Sequence, residues 1–191
     1  MLQLKNKVIL GSQSPRRREL MKLLDIPFEC ISLNADETFP FDLQAEEIAE
    51  YLAEKKSSLY TLKENELLIT ADTIVWINNQ VLNKPKDIEE ARRMLRLLSN
   101  NVHSVYTGVC IRTMNKKVVF SDEAKVYFKK LTEEEIDYYV EQYKPFDKAG
   151  AYGVQEWIGA VAISKIEGSY FNVMGLPVHL VYQHLKLFQH V

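Results

Sequence analysis

Ser12, Ser14, Arg16, Arg17, Arg18, Asp36, Glu37, Asp72 and Lys84 are the residues whose types and spacing could do chemistry. Three successive arginines in the first turn of a helix oppose its dipole by a few tenths of a kcal/mol or more each. A bound polyanion, held by the Ser12 and Ser14 hydroxyls, free backbone N–H groups and guanidinium forks, would offset them. Pairing with nearby Asp or Glu on a solvated basic turn would do so as well. Asp72 interrupts the most apolar stretch, LLITADTIVWI at 67–77, where a carboxylate is costly to bury without a cation, a metal or several donors. Strand-borne carboxylates of this kind commonly hold metals or act as bases, although a strand-end Asp can also simply accept backbone hydrogen bonds. Asp36-Glu37 alone reads as a solvated turn. Lys84 precedes Pro85, which biases its backbone to an extended shape that projects the side chain. Arg, Lys, Asp and Glu at strand ends and helix starts are the equipment of metal-assisted phosphoryl chemistry.

These residues need elements to position them. Val8, Ile9 and Leu10, ended by Gly11, read as a buried strand, and Ser14 with Pro15 opens a helix whose apolar face is Leu20, Met21, Leu23 and Leu24. Phe28 to Leu33 is predicted as a second strand. Gln44 to Leu62 carries Ile48, Leu52 and Leu59 at helical spacing with Tyr51 beside them, and Lys55 and Lys56 are placed on its solvent side. The 67–77 strand turns at Asn78-Asn79 into Gln80–Leu82. Asp87 with Glu90, and Thr132 with Glu135, form capping boxes for helices running to Leu98 and to near Tyr143. A long hairpin is predicted from His103–Thr113 and Lys117–Phe128. Beyond the loop from Phe146 to Gln155, Ile158–Ile166 is predicted as a strand, Gly168–Asn172 as a turn-rich loop, and Gly175-Leu176-Pro177 as the opening of a last helix.

Composition narrows the function. The 191 residues, 47% hydrophobic, suit one globular domain or two small lobes sharing a core. With 24 Lys plus Arg against 26 Asp plus Glu, net −2, a phosphate site must be local, which argues against a nucleic-acid partner. Cys30 and Cys110 stand alone, with no CxxC and no signal peptide, so a reducing cytoplasmic home is expected. No apolar run reaches the length of a membrane span, so no membrane partner is expected. His103, His179, His184 and His190 show no metal-binding spacing and are expected mostly at the surface. There is no P-loop, dinucleotide fingerprint or nucleophile elbow.

Ser12-Gln13-Ser14-Pro15-Arg16-Arg17, Asp36-Glu37, Leu52-Ala53 with Lys56, Ala71-Asp72-Thr73, Lys84-Pro85, Thr107-Gly108, Ala149-Gly150-Ala151-Tyr152, Gly168-Ser169 with Asn172, and Gly175-Leu176-Pro177 together resemble the Maf family of nucleotide pyrophosphatases. The match is collinear over nearly the whole chain, 1–191. The resemblance implies a mixed α/β fold with an elongated, twisted central sheet flanked by helices, similar to the inosine triphosphate pyrophosphatases, with the active site in a cleft beside the sheet. It implies hydrolysis of nucleoside triphosphates to the monophosphate and pyrophosphate with a divalent cation, Mg²⁺ or Mn²⁺, as cofactor, and a homodimer. Asp72 would be the base or a metal ligand and Glu37 a metal ligand or water-orienting group. Lys84 would act on developing charge, and Ser14, Arg17 and Lys56 would hold phosphate oxygens, helped by Ser12 and Arg16. Arg17, Thr73 and Gln155 resemble the branch acting on dTTP and UTP, since a Gln amide can both donate to uracil O4 and accept from N3–H. The chain departs from the family's common pattern at Gly11, where Ala is frequent, and at Glu156, where Gly is frequent. The alternative is a nucleotide-binding regulator of cell division and septum formation. Asp72, Glu37 and both lysines favour an enzyme, because a pure binder could lose its carboxylates without penalty.

Overall fold

The computed structural model describes residues 2–189. In chain order the elements are β1 (Lys7–Gly11), α1 (Pro15–Lys22), β2 (Phe28–Ile31), α2 (Ala45–Ser58), β3 (Glu66–Ile77), β4 (Gln80–Leu82), α3 (Ile88–Leu98), β5 (Val102–Arg112), β6 (Lys117–Phe128), α4 (Glu133–Tyr143), α5 (Trp157–Ala162), β7 (Ile163–Glu167), α6 (Tyr170–Met174) and α7 (Val178–Leu185). The strands form one mixed sheet in the order β2-β1-β3-β5-β6-β7, with β4 paired to β3. β1 lies parallel to both β2 and β3, with Leu10 opposite Cys30 on one side and Ile69 on the other. β3 and β4 are antiparallel, as are β6 and β7. β3 is buried along nearly its whole length, as a central strand with elements on both faces should be.

Two compact units emerge. The first holds the described residues of Met1–Thr73, Thr107–Asp122 and Gly175–Val191, and the second Ile74–Tyr106 and Glu123–Met174. In the first, Ile9, Leu62 and Leu68 pack with Ile31, Leu33 and Tyr60. In the second, α3 and α4 close a larger core that includes Leu95, Leu98, Val126, Phe128, Ile136, Tyr139, Tyr152 and Ile158.

Local chemistry explains most boundaries. Ser14 caps α1 with Pro15 in the first turn, and Thr132 and Glu135 form the reciprocal box at α4. At α3 only half the box forms: Asp87 accepts from the Glu90 N–H, while the Glu90 carboxylate reaches back one residue further to the Lys86 N–H. Asn78 and Asn79 have φ of 50° and 57°, the left-handed pair a two-residue hairpin needs. Gly108 lets β5 approach α2, since a Cβ there would sit 2.2 Å from the Ala49 carbonyl.

Four further expectations are corrected. Ile158–Ile166 is not one strand, because the chain makes α5 before β7. The backbone carbonyl of Glu156 opens that helix by accepting from the Gly159 N–H, and Gly159 fits because a side chain there would meet the Val154 carbonyl at 1.9 Å. A short apolar run cannot distinguish the two by periodicity. Gly168–Asn172 is partly helical: α6 draws the fully buried Asn172 inward, where its Nδ2 donates to the Val105 carbonyl at 2.9 Å. Leu59 is the C-cap of α2 and 53% exposed, so it does not belong to the apolar face. The histidines are not mostly superficial. His103 is buried and bonded to the Tyr152 hydroxyl at 2.7 Å, and His184 stacks on Phe120. His179 is exposed, and His190 lies outside the described residues.

Candidate functional site

The first unit gathers eight of the ten residues expected at the site. Its positioning begins with a strand and a helix in register. Thr70, buried in β3, donates its hydroxyl to the Ala53 carbonyl of α2 at 2.7 Å. Two residues along a strand return to the same face, and three along a helix return to the same side, so this bond aligns Asp72 with Lys56. Lys56 Nζ accordingly donates to Asp72 Oδ1, and lies 3.6 Å from Glu37 Oε1. Lys56 is therefore not on the solvent side of α2: its side chain is 12% exposed and that of Asp72 8%. The polar interruption of the β3 run is thus satisfied by a cation from the neighbouring helix.

Its neighbour Lys55 goes elsewhere. It bonds Asp36 Oδ2 at 2.9 Å and the Thr38 carbonyl at 2.8 Å. Lys55 first, and then Thr38, hold the Asp36 carboxyl at about 2, below the usual range. The adjacent carboxylates thus divide: Asp36 ties its loop to α2, and Glu37 faces the Lys56–Asp72 pair.

α1 supplies the arginines. The Ser14 Oγ accepts from the Arg17 N–H at 3.4 Å, and the Ser12 Oγ accepts from the Ser14 N–H at 3.2 Å. The Arg17 side chain returns along the helix, its Nε donating to the Gly175 carbonyl at 2.7 Å and its Nη2 to Thr73 Oγ1 at 3.0 Å. Thr73 shares a hydrogen bond with Thr107 at 2.9 Å. Gly175 has φ of +118°, a conformation that favours glycine. Burial lowers the Arg17 pKa, Asp72 opposes that shift, and Arg16 reinforces it. In those bonds Arg17 spends its guanidinium fork on neutral oxygens. Thr70, Thr107 and the Gly175 carbonyl received no role from the sequence. The signals available were a Thr two residues before Asp72 in an apolar strand and the Thr107-Gly108 and Gly175-Leu176-Pro177 motifs of the family resemblance.

Lys84 and Gln155 belong to the second unit. Lys84 is exposed in the loop after β4, between Asn83 and a buried Pro85. The Asn83 carbonyl accepts from the Gly150 N–H at 3.2 Å, which ties that loop to the segment leading to Gln155. Gly150, at φ +69°, leaves no room for a Cβ against Val75. Gln155 is exposed in the turn before α5.

Oxygen-only donors suit Mg²⁺ or Mn²⁺, and two carboxylates already converge on one cationic centre, the Lys56 ammonium. The described residues contain no group of three or more His, Cys, Asp and Glu that could hold a metal ion by themselves. Two carboxylates plus substrate phosphates fit such an ion, because Mg²⁺ is usually bound in that way.

The fold is that of a mixed α/β protein: the solved structure of a HAM1 protein from Coxiella burnetii superposes with a TM-score of 0.53 at 15% identity, covering 95% of this chain and 99% of that one. Residues 7–188 match the Maf-like protein family, and the chain belongs to it. A relative from Parabacteroides distasonis is 52% identical over 187 residues, covering 96% of this chain and 97% of its own length. One from Porphyromonas gingivalis strain W83 is 52% identical over 189 residues (96% and 95%), and one from Flavobacterium psychrophilum 51% over 181 residues (94% and 93%). All three are named dTTP/UTP pyrophosphatase.

Proposed function

We propose that this chain hydrolyses dTTP and UTP to the nucleoside monophosphate and pyrophosphate, with Mg²⁺ or Mn²⁺, as a house-cleaning enzyme of the cytoplasmic nucleotide pool. The observation that carries the reading is the buried Asp72 paired to Lys56, with Glu37 on the same ammonium and Arg17 within electrostatic range. It agrees with the names of relatives that match over nearly the full chain.

Water attacks the α-phosphorus, the bond from that phosphorus to the bridging oxygen breaks, and pyrophosphate leaves with the oxygen. One proton of the water is released. Asp72 works at the attacking water, as proton acceptor or as oxygen ligand of the metal, and Glu37 orients the same water or shares the ion. Asp72 and Glu37 would hold the metal ion, which would supply Lewis-acid neutralisation of phosphate charge. Ser12 and Ser14, on the turn into α1, and Arg16, Arg17 and Lys56 hold phosphate oxygens. Lys84 meets charge developing on the leaving group. Thr73 and Arg17 frame the nucleotide, and the Gln155 amide reads the pyrimidine by donating to O4 and accepting from N3–H.

The test is pyrophosphate release from dTTP, UTP, CTP, 7-methyl-GTP and the purine triphosphates, with Mg²⁺, with Mn²⁺ and with a chelator. Metal-dependent release from dTTP and UTP is expected. Release mainly from another nucleotide discards the base assignment, and release from none discards the enzyme in favour of a nucleotide-binding regulator.

A further inference from the structure

The turn that carries Gln155 is closed by the Glu156 N–H donating to the Gly153 carbonyl at 3.0 Å, which leaves Val154 and Gln155 as its central residues. Both corners of this turn are gripped by one phenol. The Gly153 N–H donates to the Tyr139 hydroxyl at 3.0 Å, and that hydroxyl donates onward to Glu156 Oε2. The other Glu156 oxygen lies 3.0 Å from Lys148 Nζ, which also bonds Asp147 Oδ1 at 2.7 Å. Tyr139 is fully buried, and the Lys148 and Glu156 side chains are 9% and 19% exposed. Gly153 completes the fit, because a Cβ there would come within 2.8 Å of the Glu156 carboxyl carbon and 3.0 Å of Lys148 Cε.

A charge pair taken largely out of water costs free energy that a small residue at 156 would not incur. Its return is geometric: the carboxylate, the phenol and the ammonium leave the turn one conformation. We propose that Glu156, acting through Tyr139 and Lys148, is a positioning residue that fixes the Gln155 backbone and thereby sets discrimination between pyrimidine bases. The proposal rests on the reading of Gln155 given above. Burial and the Glu156 bond both push the Tyr139 phenol well up, so the phenol remains a donor to Glu156 across the working pH range.

The experiment compares the unmodified chain with Glu156→Ala, Tyr139→Phe and Glu156→Gln. Two quantities are read: the ratio of kcat/KM for dTTP over CTP, and hydrogen exchange of the Gly153 amide. Glu156→Ala and Tyr139→Phe are expected to lower the ratio about tenfold, through dTTP rather than CTP, and to speed Gly153 exchange. Glu156→Gln keeps an acceptor for the phenol and is expected to hold the ratio within about threefold of the unmodified chain. Equal losses on both nucleotides, or an unchanged ratio with normal dTTP turnover, overturn the positioning role while leaving the pyrophosphatase reading intact. Absence of turnover by the unmodified chain overturns that reading and the specificity role with it, and Gly153 exchange unchanged in Glu156→Ala overturns the claim that Glu156 holds the turn.

Discussion

At the scale of the residue, Asp72 shows how one buried charge organises a site. Its partner is Lys56 from the adjacent helix, and the same ammonium reaches Glu37. Asp72→Asn keeps the shape and removes the acceptor, so turnover of dTTP is expected to fall by about 10³ or more, in the range that general base catalysis supplies. Near-normal pyrophosphate release would remove Asp72 from the reacting water. Lys84→Ala is expected to cost about 10²–10³ in kcat with little change in thermal midpoint, because Lys84 is exposed and its proposed role is at developing charge. A loss confined to KM would instead assign it to uniform substrate binding. Residue types made Asp72 legible in the sequence, since a carboxylate inside an apolar run demands a partner. Which partner was not legible, because Lys55 and Lys56 are adjacent and only the register of α2 on β3 decides which one turns inward. The Gly175 carbonyl that receives Arg17 lay beyond any local signal: 158 positions separate the two.

At the scale of the element, close approach rather than propensity sets the site. α2 is held against the sheet by the Thr70 hydroxyl and by the missing side chain of Gly108, and these contacts fall on Ala53 and Ala49, one helical turn apart. Gly108→Ala would place a carbon 2.2 Å from the Ala49 backbone, and a helix backbone cannot step aside as a side chain can. A loss of about 1–3 kcal/mol in urea unfolding is expected, with a fall in turnover because Lys56 rides on the displaced helix. Gly11→Ala is the contrast. The atoms nearest its added carbon are all side-chain ones, Leu33 Cδ1, Thr70 Cγ2 and Leu68 Cδ1, so a smaller loss is expected, and equal losses at the two glycines would refute the argument. Capped helices and the Asn-Asn hairpin were readable because each is specified by residues within four positions. α5 was not. Its residues are as apolar as a strand's, and what makes it a helix is the backbone carbonyl at 156 meeting the Gly159 N–H and room for Gly159 under the Val154 carbonyl, both properties of the folded turn.

At the scale of the whole molecule, net −2 with a local cationic site predicts phosphate recognition without general affinity for polyanions. Among the described residues no helix is long and apolar enough to cross a membrane. Most of the order of elements was accessible from sequence, because apolar runs, caps and turns alternate, whereas the mixed sheet was implied by the family resemblance. The boundaries of the two units were not accessible, because β3, β5 and β6 each contribute residues to both. One buried group ties global stability to acidity. His103 is 2% exposed, and burial holds its pKa down to about 3 from an ordinary 6.5. Between those values the unfolded chain binds a proton that the folded chain refuses, so stability is complete above about pH 6.5 and declines as pH falls toward 3. By pH 5 this amounts to about 2 kcal/mol. Asp36, held at about 2, acts in the same direction only at lower pH, where unfolded carboxylates begin to titrate. Burial lowers His184 as well, which adds to the slope in the same window as His103. Urea unfolding at pH 7 and pH 5 should therefore show a large loss for the unmodified chain and a clearly smaller one for His103→Gln, with the His184 share remaining. The comparison is of slopes, so a general destabilisation by the substitution does not disturb it. Equal slopes for the two proteins would mean that His103 takes up its proton in the folded state as readily as in the unfolded one, and the buried neutral imidazole bonded to Tyr152 would have to be abandoned.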